Sequence, residues 1–342
     1  MRSRIVVNAI SLIFLGVSAG SASAQGTQPL RLVQAIPMPN VKGRMDHLGV
    51  DIKGKRLFAA ALDNNTVEVI DLKAGKRVFS IPGQSKPQGI FYSTDFKRLF
   101  VANGTDGTCK IYTGDKFALI DNLSLGDNPN HVGYDPATKD LYVGIGIPNS
   151  EAGALAIVDT QSNEHIGDIK TDTRPGGVKI EKSGPRIFVT LRGLAKVGVL
   201  DRKKREEITT WAVTGVPSIV ALAFDETHHR VFGGSRNPPM LIVFDTESGN
   251  QINQLEGVAG IDDLWYDAAH KRIYASGGRD ADAGFVFVYQ QGDADHYELA
   301  AKVPTRVNAQ TSIWVPELNR YYVSASANDK EDAAILVFEP QP

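Results

Sequence analysis

A unit of four short strands recurs along this chain about every 44 residues, and that period restricts the fold more than any single motif does. Residues 46–83, DHLGVDIKGKRLFAAALDNNTVEVIDLKAGKRVFSIPG, set the pattern. Residues 47–50 precede a Lys53-Gly54 turn, and residues 56–62 precede an Asp63-Asn64-Asn65 loop. Residues 66–71 precede a Lys73-Ala74-Gly75 turn, and residues 76–81 end at Pro82-Gly83. Short runs rich in Val, Ile and Phe, bounded by Gly, Asn, Asp and Pro, read as strands. The second strand of successive units begins near Leu57, Leu99, Leu141, Ile187, Val231, Ile273 and Tyr321, at intervals of 42 to 48 residues. Four strands per unit at this period mark a β-propeller blade. The period-two alternation of apolar residues argues against a helical repeat.

The two chain ends complete the count. The seventh unit stops after its third strand, while Leu30–Met38, LRLVQAIPM, resembles the outermost strands of the other units, such as ELAAKVPT at residues 298–305. The sequence therefore predicts an all-β, seven-bladed propeller of four-stranded blades. Its ring is closed by Leu30–Ile36 as the fourth strand of the last blade, which leaves no open ring edge.

Residues 1–24 read as a secretory signal peptide. Arg2 and Arg4 begin it, residues 5–17 form a short apolar core, and Ala22-Ser23-Ala24 is a small-residue cleavage site. The apolar run is shorter than the about 20 residues that a membrane span requires. The expected mature chain is one propeller domain, residues 25–342, in the periplasm or secreted. Cys109 is the only cysteine, so no intramolecular disulfide forms. The chain has 39 acidic and 37 basic residues, and Arg2 and Arg4 fall in the leader. The basic excess that usually marks nucleic-acid binding is missing. A monomer is expected.

The stretches KRLFAAALDNNTVEVIDLKAGK, KRLFVANGTDGTCKIYTGDKF and KDLYVGIG with GALAIVDTQS resemble YVTN-type (YncE-like) propeller repeats. The resemblance covers residues 46 to 339. Blades such as Val101-Ala102-Asn103 and Val189-Thr190-Leu191 depart from the family's Tyr-Val-Thr-Asn lettering. The resemblance implies an exported bacterial propeller, and it implies location and shape more than a reaction.

In a four-stranded meander the start of strand one and the loop joining strands two and three share one face. Function tends to sit on such loops. Eleven residues before each anchor stand Asp46, Gln88, Asn130, Gly176, Val220, Asp262 and Gln310, with His47, His131 and Asp263 next to them. Five of these seven are polar and should ring the mouth of the central channel. Their simplest role is to cap turns and bond backbone or channel water. A basic set shares the face. Arg44, Lys86 and Arg174 lie thirteen residues before their anchors, with Arg306 near the same place, and Arg192, Arg236 and Arg279 lie five or six after theirs. Arginine's planar fork suits carboxylate and phosphate. The competing role is surface pairing with Asp280, Asp282, Glu151 or Asp329.

The sequence contains no haem-attachment Cys-x-x-Cys-His, no Gly-x-Ser-x-Gly elbow and no phosphate-binding glycine loop. The expectation is a binding or scaffold module rather than an enzyme, without a cofactor. Its partner is a small anion or an acidic protein segment held by Arg174, Arg192, Arg236, Arg279, His47, His131, Gln88, Asn130 and Gln310. The alternative is a metal-assisted, lactonase-like hydrolase, by analogy with six-bladed lactonase propellers. That reading places a divalent cation on Asp46, Asn130 and Asp262. A nucleic-acid binder is the least expected class.

Overall fold

The computed structural model describes residues 28–342; the leader expected at residues 1–24 lies outside them. Seven four-stranded antiparallel sheets follow one another around a ring. Blade 1 contains Leu48–Asp51, Arg56–Ala61, Thr66–Asp71 and Lys76–Ile81. Blades 2 to 6 repeat this order over residues 87–124, 132–171, 175–212, 221–256 and 263–304. Blade 7 takes Thr311–Val315, Arg320–Ala325 and Ala333–Pro340 from the C-terminal end and β1, Leu30–Met38, from the N-terminal end. The ring is therefore closed as the sequence predicts, with a closing strand two residues longer than expected.

The closing strand carries the same irregularity as every other fourth strand. In blade 1 the register skips Val78 between Val69↔Phe79 and Ile70↔Arg77. In blade 7 it skips Val33 between Val337↔Gln34 and Phe338↔Leu32. Ile120, Ile208 and Ile252 are skipped in blades 2, 4 and 5. A bulge inserts one unpaired residue and increases the local twist. It also explains why Val33, Val78, Ile120, Ile208 and Ile252 are exposed on otherwise alternating strands.

The recurrent Asp at the end of third strands has a local cause. Asp71 Oδ1 accepts the backbone N–H groups of Lys73 and Ala74, at 2.8 and 2.9 Å. Asp159, Asp201 and Asp245 cap the next turn in the same way. An Asp side chain that bonds the backbone two or three residues on fixes the turn leading to strand four.

The core lies between blades. At the closure, Ile36, Met38 and Met45 pack with Leu57 and Ala59 of blade 1 and with Ile335 and Val337 of blade 7. On one face of the ring, the chain entering each blade runs beside that blade's second-to-third-strand loop. Asp63 N donates to Arg44 O in blade 1, and Arg192 N donates to Arg174 O in blade 4. Residues far apart in the repeat are thereby placed side by side around one opening.

If β1 closes the ring, its buried and bulged residues should differ sharply in cost. Ile36→Ala, at a site 1% exposed, should destabilise by about 2–5 kcal/mol. Val33→Ala, at the exposed bulge, should stay within about 0.5 kcal/mol. Urea unfolding of the two variants checks this; equal midpoints would contradict a load carried by the closing strand.

Candidate functional site

Two successive residues of each blade form the channel mouth. The first layer contains Asp46, Gln88, Asn130, Asp262 and Gln310, all buried. The second layer, one residue on and ten before each anchor, reads His47, Gly89, His131, Gly177, Ala221, Asp263 and Thr311. Three large polar side chains share this layer with four small residues. Larger ones would not fit at the glycines: a Cβ on Gly89 would stand 2.0 Å from the Asn130 carbonyl oxygen, and one on Gly177 would stand 2.8 Å from the Leu222 nitrogen. The small residues leave room at the centre of the ring for His47, His131 and Asp263.

These three meet across the channel from blades 1, 3 and 6. His47 Nδ1 lies 3.1 Å from Asp263 Oδ2, and its Nε2 lies 3.5 Å from Asp46 Oδ1. The Ser312 N–H donates to Asp263 Oδ2 at 2.8 Å and fixes that carboxylate. The His47 and His131 rings lie 4.5 Å apart between centroids. Burial alone would lower the His47 imidazole, but the Asp263 and Asp46 carboxylates outweigh it and raise the group to about 10. Burial raises the Asp46 carboxyl to about 6, against the pull of His47. His131 responds in the opposite sense. Burial pushes it well below its ordinary value, and His47, Arg192, Arg174 and Arg236 push it further. Both of its ring nitrogens are buried without a hydrogen-bond partner among the described residues.

The arginines divide by what holds them. Arg236 donates to the Asp262 carboxylate and, at 2.7 Å, to the Ile261 carbonyl. Arg44 lies 3.5 Å from Asp46, and Arg174 donates to the Asn128 carbonyl at 3.2 Å. Arg192 has no side-chain hydrogen bond and no carboxylate within 4.0 Å among the described residues. Burial lowers its guanidinium, and Arg236 and Arg279 beside it lower it further. Arg279 leans toward the exposed Asp280 at 3.5 Å, the surface pairing that the sequence offered as its competing role. Arg306 is tied to Glu331 at 3.1 Å, and Lys86 is exposed.

The structure thus brings Arg174, Arg192 and Arg236 together with His47 and His131, and sets Arg279 at the edge of that group. Gln88 is engaged: its amide donates to Asn128 Oδ1 at 2.6 Å. Asn130 Oδ1 and both polar atoms of the fully buried Gln310 side chain have no hydrogen-bond partner among the described residues. Of the carboxylates expected to hold a metal, Asp46 is taken up by His47 and Arg44 and Asp262 by Arg236. The trio whose ligand atoms come together, within 4.8 Å of one another, is His47, His131 and Asp263. A signal for it is present in the repeat: ten residues before the anchor, four units carry Gly, Ala or Thr and three carry His, His and Asp.

No family model and no curated protein sequence matches the chain. Among solved structures, one chain of the crystal structure of the mitotic checkpoint complex is similar over 100% of both chains, with a TM-score of 0.75 and 12% identity. At that identity the likeness speaks for the propeller fold alone. No helix among the described residues is long and apolar enough to cross a membrane.

The charge states at the mouth have a measurable sign. A histidine whose folded-state value is raised from 6.5 to about 10 adds stability that is full below pH 6.5 and is lost as the pH rises toward 10. The melting temperature of protein freed of metal should therefore fall over that interval, and His47→Gln should flatten the fall. In the same sample, NMR should show His47 still protonated at pH 8 and His131 neutral as the pH drops through 6.5. A His131 that gains its proton near 6.5 would contradict this arrangement of charges.

Proposed function

We propose that this protein is a binding module that captures a small anion, or the acidic segment of a partner, at the arginine-lined mouth of its central channel. We place it among exported YVTN-type propellers acting in the periplasm, on the strength of the repeat lettering and the leader-like residues 1–24.

The observation that carries the reading is Arg192. A half-buried guanidinium without a counter-charge is costly, and here a second arginine stands beside it on each flank. Arg174 shares a backbone hydrogen bond with Arg192, and Arg236 is already matched by Asp262. The uncompensated charge is therefore concentrated at Arg192, with Arg174 within the same opening. A carboxylate or phosphate would supply two or more acceptor oxygens to these forks, and charge-assisted bonds of this kind are the strong ones. The protein-binding version uses the same chemistry, with an Asp or Glu side chain as the anion. The negative overall charge then acts as selectivity: anions are repelled from most of the surface and drawn to the mouth.

A thermal-shift screen of inorganic phosphate, simple carboxylates and sugar acids, followed by calorimetry on the best probe, tests this. Arg192→Ala should weaken that probe by about ten- to a hundredfold, the worth of one charge-assisted bond of roughly 1.5–3 kcal/mol. Its folding stability should hardly change, because that side chain has no partner to lose. Arg279→Ala, partly spent on Asp280, should cost less. Equal affinity in wild type and Arg192→Ala would refute the reading.

A further inference from the structure

The geometry points to a divalent transition-metal site at the centre of the propeller, formed by His47, His131 and Asp263 from blades 1, 3 and 6.

Four observations converge on these residues. First, one ligand atom from each lies within 4.8 Å of the other two. His47 Nδ1 and Asp263 Oδ2, at 3.1 Å, already stand at the separation of two neighbouring ligands on one ion, since atoms bound at about 2.1 Å lie roughly 3.0–3.4 Å apart. A shift of the His131 ring toward them would bring it to the same ion. Second, His131 is 8% exposed and has no hydrogen-bond partner for either ring nitrogen among the described residues. A buried polar group left unpaired is unfavourable; a metal ion would use one of its lone pairs. Third, the outer groups are in place. Asp46 Oδ1 stands at the other nitrogen of His47, and the Ser312 N–H holds the Asp263 carboxylate. Ligating imidazoles are commonly oriented by a carboxylate in this way. Fourth, the three ligands line a cavity of about 70 Å³ at the ring centre, enough for an ion with a water or two to complete its coordination.

The charges against a cation are the neighbouring arginines and Lys179, which lines the same cavity. Arg236 is matched by Asp262 and Arg44 by Asp46, which leaves the Asp263 carboxylate for the ion. Two imidazoles and one carboxylate select a first-row transition dication over calcium or magnesium, which favour oxygen ligands throughout. Four other histidines pair instead with the Asp three residues away in the chain: His165, His228, His270 and His296. Each of those pairs offers an ion two side chains on one strip of backbone. Only the central group among the described residues draws three such ligands from different blades.

The test uses the full chain, purified without a histidine tag, stripped with chelator and titrated with Zn²⁺ by calorimetry. Co²⁺ serves as a spectroscopic reporter of nitrogen-ligated, low-coordinate binding. One ion per chain is expected, with Co²⁺ giving visible absorption bands. His131→Gln should lower the Zn²⁺ affinity by at least about a hundredfold, more than the 10–100-fold typical of losing an outer group. Asp263→Asn should do the same, while His296→Gln, at an exposed turn, should leave it unchanged. Circular dichroism of each variant checks folding. His131→Gln carries the decision, because that ring has no hydrogen bond to lose. Stripped wild-type protein that takes up no stoichiometric Zn²⁺, or His131→Gln binding as tightly as wild type, would overturn the site. Phosphate affinity of the stripped protein reports separately on the Arg192 mouth, so each reading can fail without the other.

Discussion

The pairing of the N-terminal strand with the C-terminal one is the constraint on which the rest of the molecule depends. Leu30↔Pro340 through Met38↔Ala333 form one antiparallel ladder between residues at opposite ends of the chain. A propeller left open there would expose unpaired backbone on one blade and an uncovered apolar face on the next. Closure fixes the circumference, and the circumference brings the seven blade starts within reach of one another. His47 and Asp263, 216 residues apart in sequence, touch because the ring is complete. The packing of Ile36 and Met38 against Leu57 in blade 1 extends the strand's role from one blade to two.

Inside that frame, electrostatics sorts the mouth into matched and unmatched groups. Arg236 with Asp262, Arg44 with Asp46, and His47 with Asp263 are pairs in which burial is offset by an opposite charge or a hydrogen bond. Among the ionisable groups, Arg192 and His131 are the exceptions. One is a cation without an anion, and the other a neutral ring without a partner. Native proteins satisfy most buried polar groups, and exceptions that cluster where blades converge are the observations behind the proposed binding. The two leftovers call for opposite chemistries, an anion at Arg192 and a metal ion at His131, and they occupy one opening.

The fold was legible in the sequence because a repeat states its architecture seven times. Anchors from Leu57 to Tyr321 gave the blade number, and the similarity of LRLVQAIPM to other fourth strands gave the closure. The bulge at Val33 was not legible, since an extra residue in a strand of mixed pattern leaves no periodic mark. The site was legible in part. Repeat arithmetic placed the arginines and the polar ring on one face, and the structure puts them there. It could not say which side chains meet, because contacts across a channel depend on rotamers and on the room left by Gly89, Gly177 and Ala221. Arg279 illustrates this: its spacing matches that of Arg192 and Arg236, yet Asp280 next to it in the chain draws it to the edge. The expected metal carboxylates, Asp46 and Asp262, sit one residue short of the layer that converges, and each is held by an arginine.

Anion capture at Arg192 is the proposal on which the function of the channel mouth rests. Anomalous diffraction from a crystal of this protein soaked in selenate tests it most directly, because the scatterer is itself a tetrahedral oxyanion. A selenium peak is expected at the channel mouth, with the selenate oxygens about 2.7–2.9 Å from the Arg192 guanidinium. An empty mouth with peaks only on the outer surface of the blades would contradict it.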